Sequence, residues 1–259
     1  MFKRLMILCS LLSFSAFSAA ETPGNWKVLV SPFIWGASLK GDLALAGKKP
    51  SVDIPFSELV NDVDSIFMGN LELTNSHYGF YIDAINVDTD SNDRVMGQKI
   101  SYKIDQTTVA LGAFYRAFNY ELGGNHLFDE PRRISIDPTI GARWTKLTAE
   151  VQSKPFGLKL SKKAEWTDPF VGLRLTADLT NKWNLSLLSQ VGGLDTDNKK
   201  THNHEAYLGY RVYLLDHPTI IRVGYRSLSQ RYTSTDFTGH RFKYDIRQSG
   251  PVVGMTMRF

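Results

Sequence analysis

From Trp26 onward the chain reads as a series of short stretches in which apolar and small or polar residues alternate, separated by polar turns. In Ile220-Ile221-Arg222-Val223-Gly224-Tyr225-Arg226, one parity holds Ile221, Val223 and Tyr225 and the other Arg222, Gly224 and Arg226. Residues 206–214 set Ala206, Leu208, Tyr210, Val212 and Leu214 against Tyr207, Gly209, Arg211 and Tyr213. The same period of two runs through 109–117, 134–144 and 170–177. It is the period of a strand whose two faces meet different surroundings. Ten strands are predicted, at about 26–40, 66–76, 78–90, 98–119, 132–150, 164–179, 182–194, 202–215, 219–232 and 241–259.

A soluble sandwich also alternates, but its polar face meets water and carries Lys, Glu, Ser and Thr. Here the minority face is mostly Gly, Arg, Tyr and Asp. That composition suits a narrow enclosed lumen, where Gly leaves room and Arg meets carboxylates. The other face is apolar over the roughly nine to eleven residues that a tilted strand needs to cross a bilayer. Tight turns at 75–77, 180–182 and 216–218 alternate with mostly longer polar links at 41–65, 91–97, 151–163, 195–201 and 233–240. The fold predicted is therefore all-β: a closed, antiparallel, up-and-down transmembrane β-barrel. The link at 120–131 is too long for a tight turn. It reads as a larger periplasmic loop, or the count of ten is off by two and the barrel has eight or twelve strands.

Trp183, Tyr120, Tyr213 and Phe259 fall near the turn end, and Trp144, Trp166 and Tyr102 near the loop end, as two aromatic girdles would place them. The last residues step back from Phe259 through Met257, Met255 and Val253. This ladder resembles the terminal signal that the bacterial barrel-assembly machinery recognises during insertion, which the resemblance makes an expected partner. Phe242, Tyr244 and Ile246 have the opposite parity, so a bulge is expected near Ser249-Gly250-Pro251.

Composition changes the picture at the N-terminus. Lys3 and Arg4, an apolar run and small residues up to Ala20 describe a signal peptide over 1–20, leaving a barrel domain over 21–259. Cys9, the single cysteine, sits inside that run, so the exported part has no thiol chemistry. Removing Lys3 and Arg4 lowers the formal charge from +4 to +2, too little to argue for nucleic acid. The expected location is the cell outer membrane, with its lipid and lipopolysaccharide as surroundings. No motif implies a cofactor, and nothing in the sequence sets an oligomeric state.

Ser31-Pro32-Phe33-Ile34-Trp35, Gly41-Asp42, Pro55-Phe56-Ser57-Glu58-Leu59, Met68-Gly69 and Tyr78-Gly79-Phe80-Tyr81-Ile82-Asp83-Ala84 resemble a poorly characterised family of proteobacterial outer-membrane barrel proteins. The resemblance covers about a quarter of the chain. It implies fold and location and brings no catalytic residues with it.

Strand parity places Glu72, Asp83, Asp137 and Glu205 in the lumen with Arg116, Arg143, Arg174, Arg211, Arg222 and Arg226. Such a set is either a constriction selecting small solutes or an ion-pair network filling a small barrel. Ten strands lie close to the filled end of the size range. Residues 55–64 form the one helical candidate, capped by Ser57, as a loop helix or a lumen plug. His202 and His204, with His240 and acids in nearby loops, are weak candidates for a metal or for a rim hydrolase acting on lipid A or peptides. The expected activity is a structural element or a narrow small-solute pore, without catalysis.

Overall fold

The structure is a computed structural model and describes residues 26–44, 51–57, 63–75, 77–95, 98–153, 158–193, 199–235 and 241–259. The expected signal peptide, residues 1–20, lies outside the described residues. Among the described residues, thirteen strand segments form one antiparallel sheet that closes on itself where β1 (Lys27–Trp35) pairs with β13 (Arg241–Arg258). Closure leaves a barrel without free edges along its main wall, the only sheet form compatible with a bilayer.

Thirteen segments make ten wall strands. β1 and β2 (Ser38–Ala44) lie end to end against β13, joined through Gly36 and Ala37. β6 (Gln98–Tyr115) and β7 (Phe118–Asn125) lie end to end against β8 (Pro131–Ser153). β3 (Ser51–Ile54) is a short arm on β2. The remaining wall strands are β4 (Val63–Thr74), β5 (Tyr78–Val95), β9 (Leu158–Asp178), β10 (Trp183–Gly192), β11 (Lys199–Leu214) and β12 (His217–Thr235). The order around the wall is β1, β4, β5, β6, β8, β9, β10, β11, β12, β13, so the chain meanders up and down.

Asn75, whose N–H donates to the Tyr78 carbonyl, and tight turns at 179–182 and 215–216 share one end of the barrel with Lys27 and Phe259. That end faces the periplasm in the usual barrel arrangement. Leu215 and Asp216 both have positive φ, 51° and 63°, which fits the strand twist across a two-residue hairpin. At the opposite end the links are shorter than expected, because the strands run through them. β8 has 23 residues and β9 has 21, about twice what a crossing requires. The barrel therefore continues well beyond the bilayer on the outer side.

This extension explains two corrections. The first concerns β13. It pairs with β12 in unbroken register from Met257↔Thr219 to Arg241↔Thr235, so the expected bulge at 249–251 is absent. Val253 and Met257 flank the buried, inward Val252 and Thr256, while Phe242, Tyr244 and Ile246 are themselves inward and buried. In the bilayer the outer face must be apolar. Above it the outer face carries Lys243, Asp245 and Arg247, and the apolar residues turn inward to form a core with Leu147, Ala164 and Trp166. β1 and β2 also keep one register on β13, from Leu29↔Arg258 to Ala44↔Lys243; what changes is the other side of β1. There β1 leaves β4 after Pro32↔Gly69, and the Trp35 N–H donates to Met68 Sδ.

The second correction is Trp166. It is not a girdle residue but lies in that core, 4 % exposed and stacked on Tyr232 at 4.7 Å. Trp144 does face outward, and its Nε1–H donates to Glu165 at 2.8 Å. At the turn end Trp183 packs on Tyr210, Tyr78 on Trp26 and Phe259 on His217. The side chain of Tyr102 lies outside the described residues. Of the helical candidate, 58–62 lie outside the described residues as well, Val63 and Asp64 belong to β4, and the Phe56 ring lies against Gly36.

Candidate functional site: the charged lumen

Inward positions at bilayer height are polar because the alternate positions must be apolar for the lipid. The lumen is consequently layered. Below the outer apolar core lie two ion-pair clusters, and below these a vestibule closed by a turn.

The lower cluster centres on Asp137 of β8, whose carboxylate is fully buried. Arg116 Nε donates to it at 3.1 Å and Arg174 Nη2 at 3.1 Å. Arg174 also donates from Nη1 to Glu72 at 2.7 Å and lies 3.8 Å over the Phe114 ring. Glu72 on β4 and Arg174 on β9 are four strands apart round the wall, so this pair spans the lumen. The upper cluster centres on Arg226 of β12, 1 % exposed. It donates to Asp83 Oδ1 on β5 at 2.7 Å, a second crossing pair, and its Nε lies 3.4 Å from Glu205. Trp35 and Phe33 lie beside its guanidinium at 5.2 and 5.7 Å.

Eight of the ten expected lumen charges thus meet an opposite charge. Arg211 belongs to neither cluster and pairs with Asp178 nearer the turn end. Arg143 and Arg222 are different. Arg143 donates from Nη2 to Gln190 Oε1 at 2.7 Å and lies 5.2 Å from the Phe170 ring. Arg222 lies 5.2 Å over the Tyr207 ring. Neither forms an ion pair with a carboxylate among the described residues.

The expected set missed several lumen groups. Asp168 accepts from Thr201 Oγ1 at 2.6 Å and from Trp166 Nε1 at 3.1 Å. Asp168 and Asp178 share the parity of Arg174, so the sequence pattern could have found both. Gln190, which donates to the Tyr81 hydroxyl at 2.8 Å, and Asn203, which donates to Glu205 at 2.8 Å, are neutral and gave no signal. More crossing bonds, Gln230 to Thr145 at 2.8 Å and Gln248 to Gln106 at 2.6 Å, lie nearer the outer core.

Two glycines shape the floor on which the aromatic rings lie. Gly112 and Gly141 are ladder partners, flanked by Tyr81 and Phe170 in the same row. A Cβ on Gly112 would run into the Tyr81 ring, and one on Gly141 into the Leu111 carbonyl and the Phe170 ring. The missing side chains let both rings lie across the strands and face the clusters.

The long link at 120–131 is a hairpin end that folds back under the barrel. Leu127 N–H donates to the Asn181 carbonyl at 2.9 Å, and the Tyr213 hydroxyl donates to the Leu127 carbonyl at 3.3 Å. Phe128 is buried against Tyr213, with Arg258 and Arg211 beside its ring. Glu130 receives Lys27 at 2.5 Å, Arg258 at 2.6 Å and Arg133 at 3.3 Å, with His126 at 3.7 Å. Burial raises the Glu130 carboxyl, but the His126 and Lys27 hydrogen bonds and the Arg258 charge outweigh this and hold it well below the usual carboxylate range. The turn covers a vestibule of about 190 Å³ at the periplasmic end.

His202 and His204 do not enter the lumen. They share the outward parity of β11, and His204 Nδ1 lies 3.1 Å from the Ser189 hydroxyl. His240 lies outside the described residues. Among the described residues no three His, Cys, Asp or Glu side chains converge as metal ligands.

A closed barrel with an apolar belt, aromatic flanks and a polar interior defines a class: this is an outer-membrane β-barrel protein. No family model matches the chain, and no curated protein does. Among solved structures it is similar to the outer membrane protease OmpT of Escherichia coli, at 10 % identity and a TM-score of 0.45, covering 93 % of this chain and 99 % of that one. It is also similar to the attachment invasion locus protein of Yersinia pestis, at 13 % identity and 0.38, covering 90 % and 98 %. The toluene transporter TodX of Pseudomonas putida aligns at 8 % and 0.29, covering 92 % and 90 %.

Proposed function

We propose that this protein is a non-catalytic outer-membrane barrel with a largely filled, charged lumen. It serves as a structural element or, at most, as a narrow path for small solutes. The observation that carries this reading is the pair of ion bridges across the lumen, Glu72–Arg174 and Asp83–Arg226. Each joins strands on facing walls, where an open channel would hold water. The outer apolar core and the 126–130 turn narrow the path above and below them. The rival reading, a rim hydrolase, gains nothing from His202 and His204, which face away from the barrel axis.

We also propose that Val253, Met255, Met257 and Phe259, on the lipid-facing side of the last strand, form the signal read by the barrel-assembly machinery. Lipid and lipopolysaccharide are then the lasting surroundings of this face.

Planar-bilayer recording tests the filled lumen. The wild-type barrel should give no steady conductance beyond that of a narrow path. Removing both bridges, with Glu72→Ala, Arg174→Ala, Asp83→Ala and Arg226→Ala together, should raise it. A large ohmic conductance from correctly folded wild-type protein overturns the reading.

A further inference from the structure

Between the two clusters lies a cavity of about 110 Å³. Its acidic lining residues are already engaged. Glu72 is held by Arg174, Asp83 by Arg226, and Glu205 by Asn203, the Tyr207 hydroxyl and Arg226. Its basic residues are not all so engaged. Arg143 and Arg222 both line it, and neither forms an ion pair among the described residues.

Arg143 is the sharper case. It is 1 % exposed, and its Nε and Nη1 have no hydrogen-bond partner among the described residues. A guanidinium keeps its charge at any ordinary pH, so it cannot escape an unpaired burial by losing a proton. Its ladder partner on β9, Asp168, binds Thr201 and Trp166 through Oδ2, and no ion pair joins it to Arg143 among the described residues.

We propose that this cavity is a binding site for a small oxyanion, held by Arg143 from one wall and Arg222 from another. A guanidinium with unpartnered N–H groups makes short, charge-assisted hydrogen bonds to the oxygens of a carboxylate or phosphate. The Tyr81 and Tyr207 rings line the same cavity and limit the ligand to about the size of acetate or phosphate. Several water-sized groups fit in such a volume, and a bulky sulfonate does not. The site does not depend on whether the barrel conducts.

The full-length barrel in detergent micelles tests this with three probes, formate, acetate and inorganic phosphate, at constant ionic strength. Binding is read by saturation transfer to 13C-labelled formate and acetate, and by the rise of the unfolding midpoint with the logarithm of anion concentration. Wild-type protein should show saturable binding of at least one probe, and a bulky buffer sulfonate none. Arg143→Gln and Arg222→Gln should each weaken it at least tenfold. Arg231→Gln, on the outer surface, should change it less than twofold. Preference for formate and acetate identifies a carboxylate ligand, and preference for phosphate identifies a phosphate. If Arg143→Gln fails to fold, Arg143→Lys and Arg222→Gln decide, since Lys keeps the charge and loses the fork. No saturable binding to wild type, or equal binding in Arg222→Gln, overturns the proposal.

Discussion

Replacing Asp137 by Asn keeps the shape of the side chain and removes the charge that two arginines share. Arg116 donates to Asp137 from Nε at 3.1 Å and Nη2 at 3.3 Å, and Arg174 from Nε at 3.2 Å and Nη2 at 3.1 Å. A hydrogen bond to a charged partner is worth about 1.5–3 kcal/mol, so four taken separately would total about 6–12 kcal/mol. That sum overstates the loss, because Arg174 keeps Glu72 and the amide still offers one carbonyl. The Asn NH2, however, turns donors toward guanidinium donors. Breaking a buried pair from one side costs about 3–5 kcal/mol, and the expected loss for Asp137→Asn lies in that range.

The matched control is Asp53→Asn. Asp53 pairs with Lys40 at 3.3 Å, with both side chains 66 % exposed, and should lose about 0–1 kcal/mol. Urea unfolding of the barrel in lipid vesicles, followed by tryptophan fluorescence and by the mobility shift of the folded form on gels, measures both. A loss below about 1 kcal/mol for Asp137→Asn, no larger than the control, refutes the view that the lumen is held by this cluster.

Gly112→Val should destabilise by about 1–3 kcal/mol in the same assay, because the new side chain displaces the Tyr81 ring from the strand it lies across; a change under about 0.5 kcal/mol would mean that the ring has room to move. The Glu130 carboxyl is depressed in the folded state, so its contribution is fully present above the unfolded value of about 4.3 and is lost as pH falls below it. Acid should therefore loosen the 126–130 turn, read as faster protease cutting there. Glu130→Gln should cut quickly at neutral pH and show no such acid dependence. Val223→Arg, between Leu208 and Val253 on the lipid-facing side, should cost about 2–4 kcal/mol, whereas Thr167→Arg, beside the outer girdle residue Trp144, should cost about 0–1 kcal/mol. Equal costs would remove the assigned bilayer height.

The wall was legible in the sequence because alternation is a local property. Every expected strand has a counterpart in the wall, and the ten inward charges were assigned from parity alone. What parity could not supply was partnership. Arg226 meets Asp83 across 143 residues of chain, whereas Arg143 hydrogen-bonds the neutral Gln190; both are inward on their own strands, and parity does not tell the two cases apart. Gln190 and Asn203 escaped notice because a neutral amide on the minority face resembles any other polar filler. The turn at 126–130 was visible only as a violation of loop length. Its closing contacts come from Lys27, Asn181, Tyr213 and Arg258, which no local pattern links.

The bulge expected in β13 failed for a more general reason. Alternation shows that a strand has two unlike faces but not which face is apolar. That depends on what lies outside the wall at each height. Around Val253 the outside is hydrocarbon, so the apolar set points outward and the inside must take the polar set, with arginines and acids needing one another. Around Tyr244 the outside is water, so the apolar set turns inward without any change in the backbone. The reversal of parity along one unbroken strand thus marks the membrane surface. It also accounts for the layering of the lumen, because the ion-pair network and the anion cavity lie at the height where lipid takes the apolar side chains, and the apolar core begins where lipid ends.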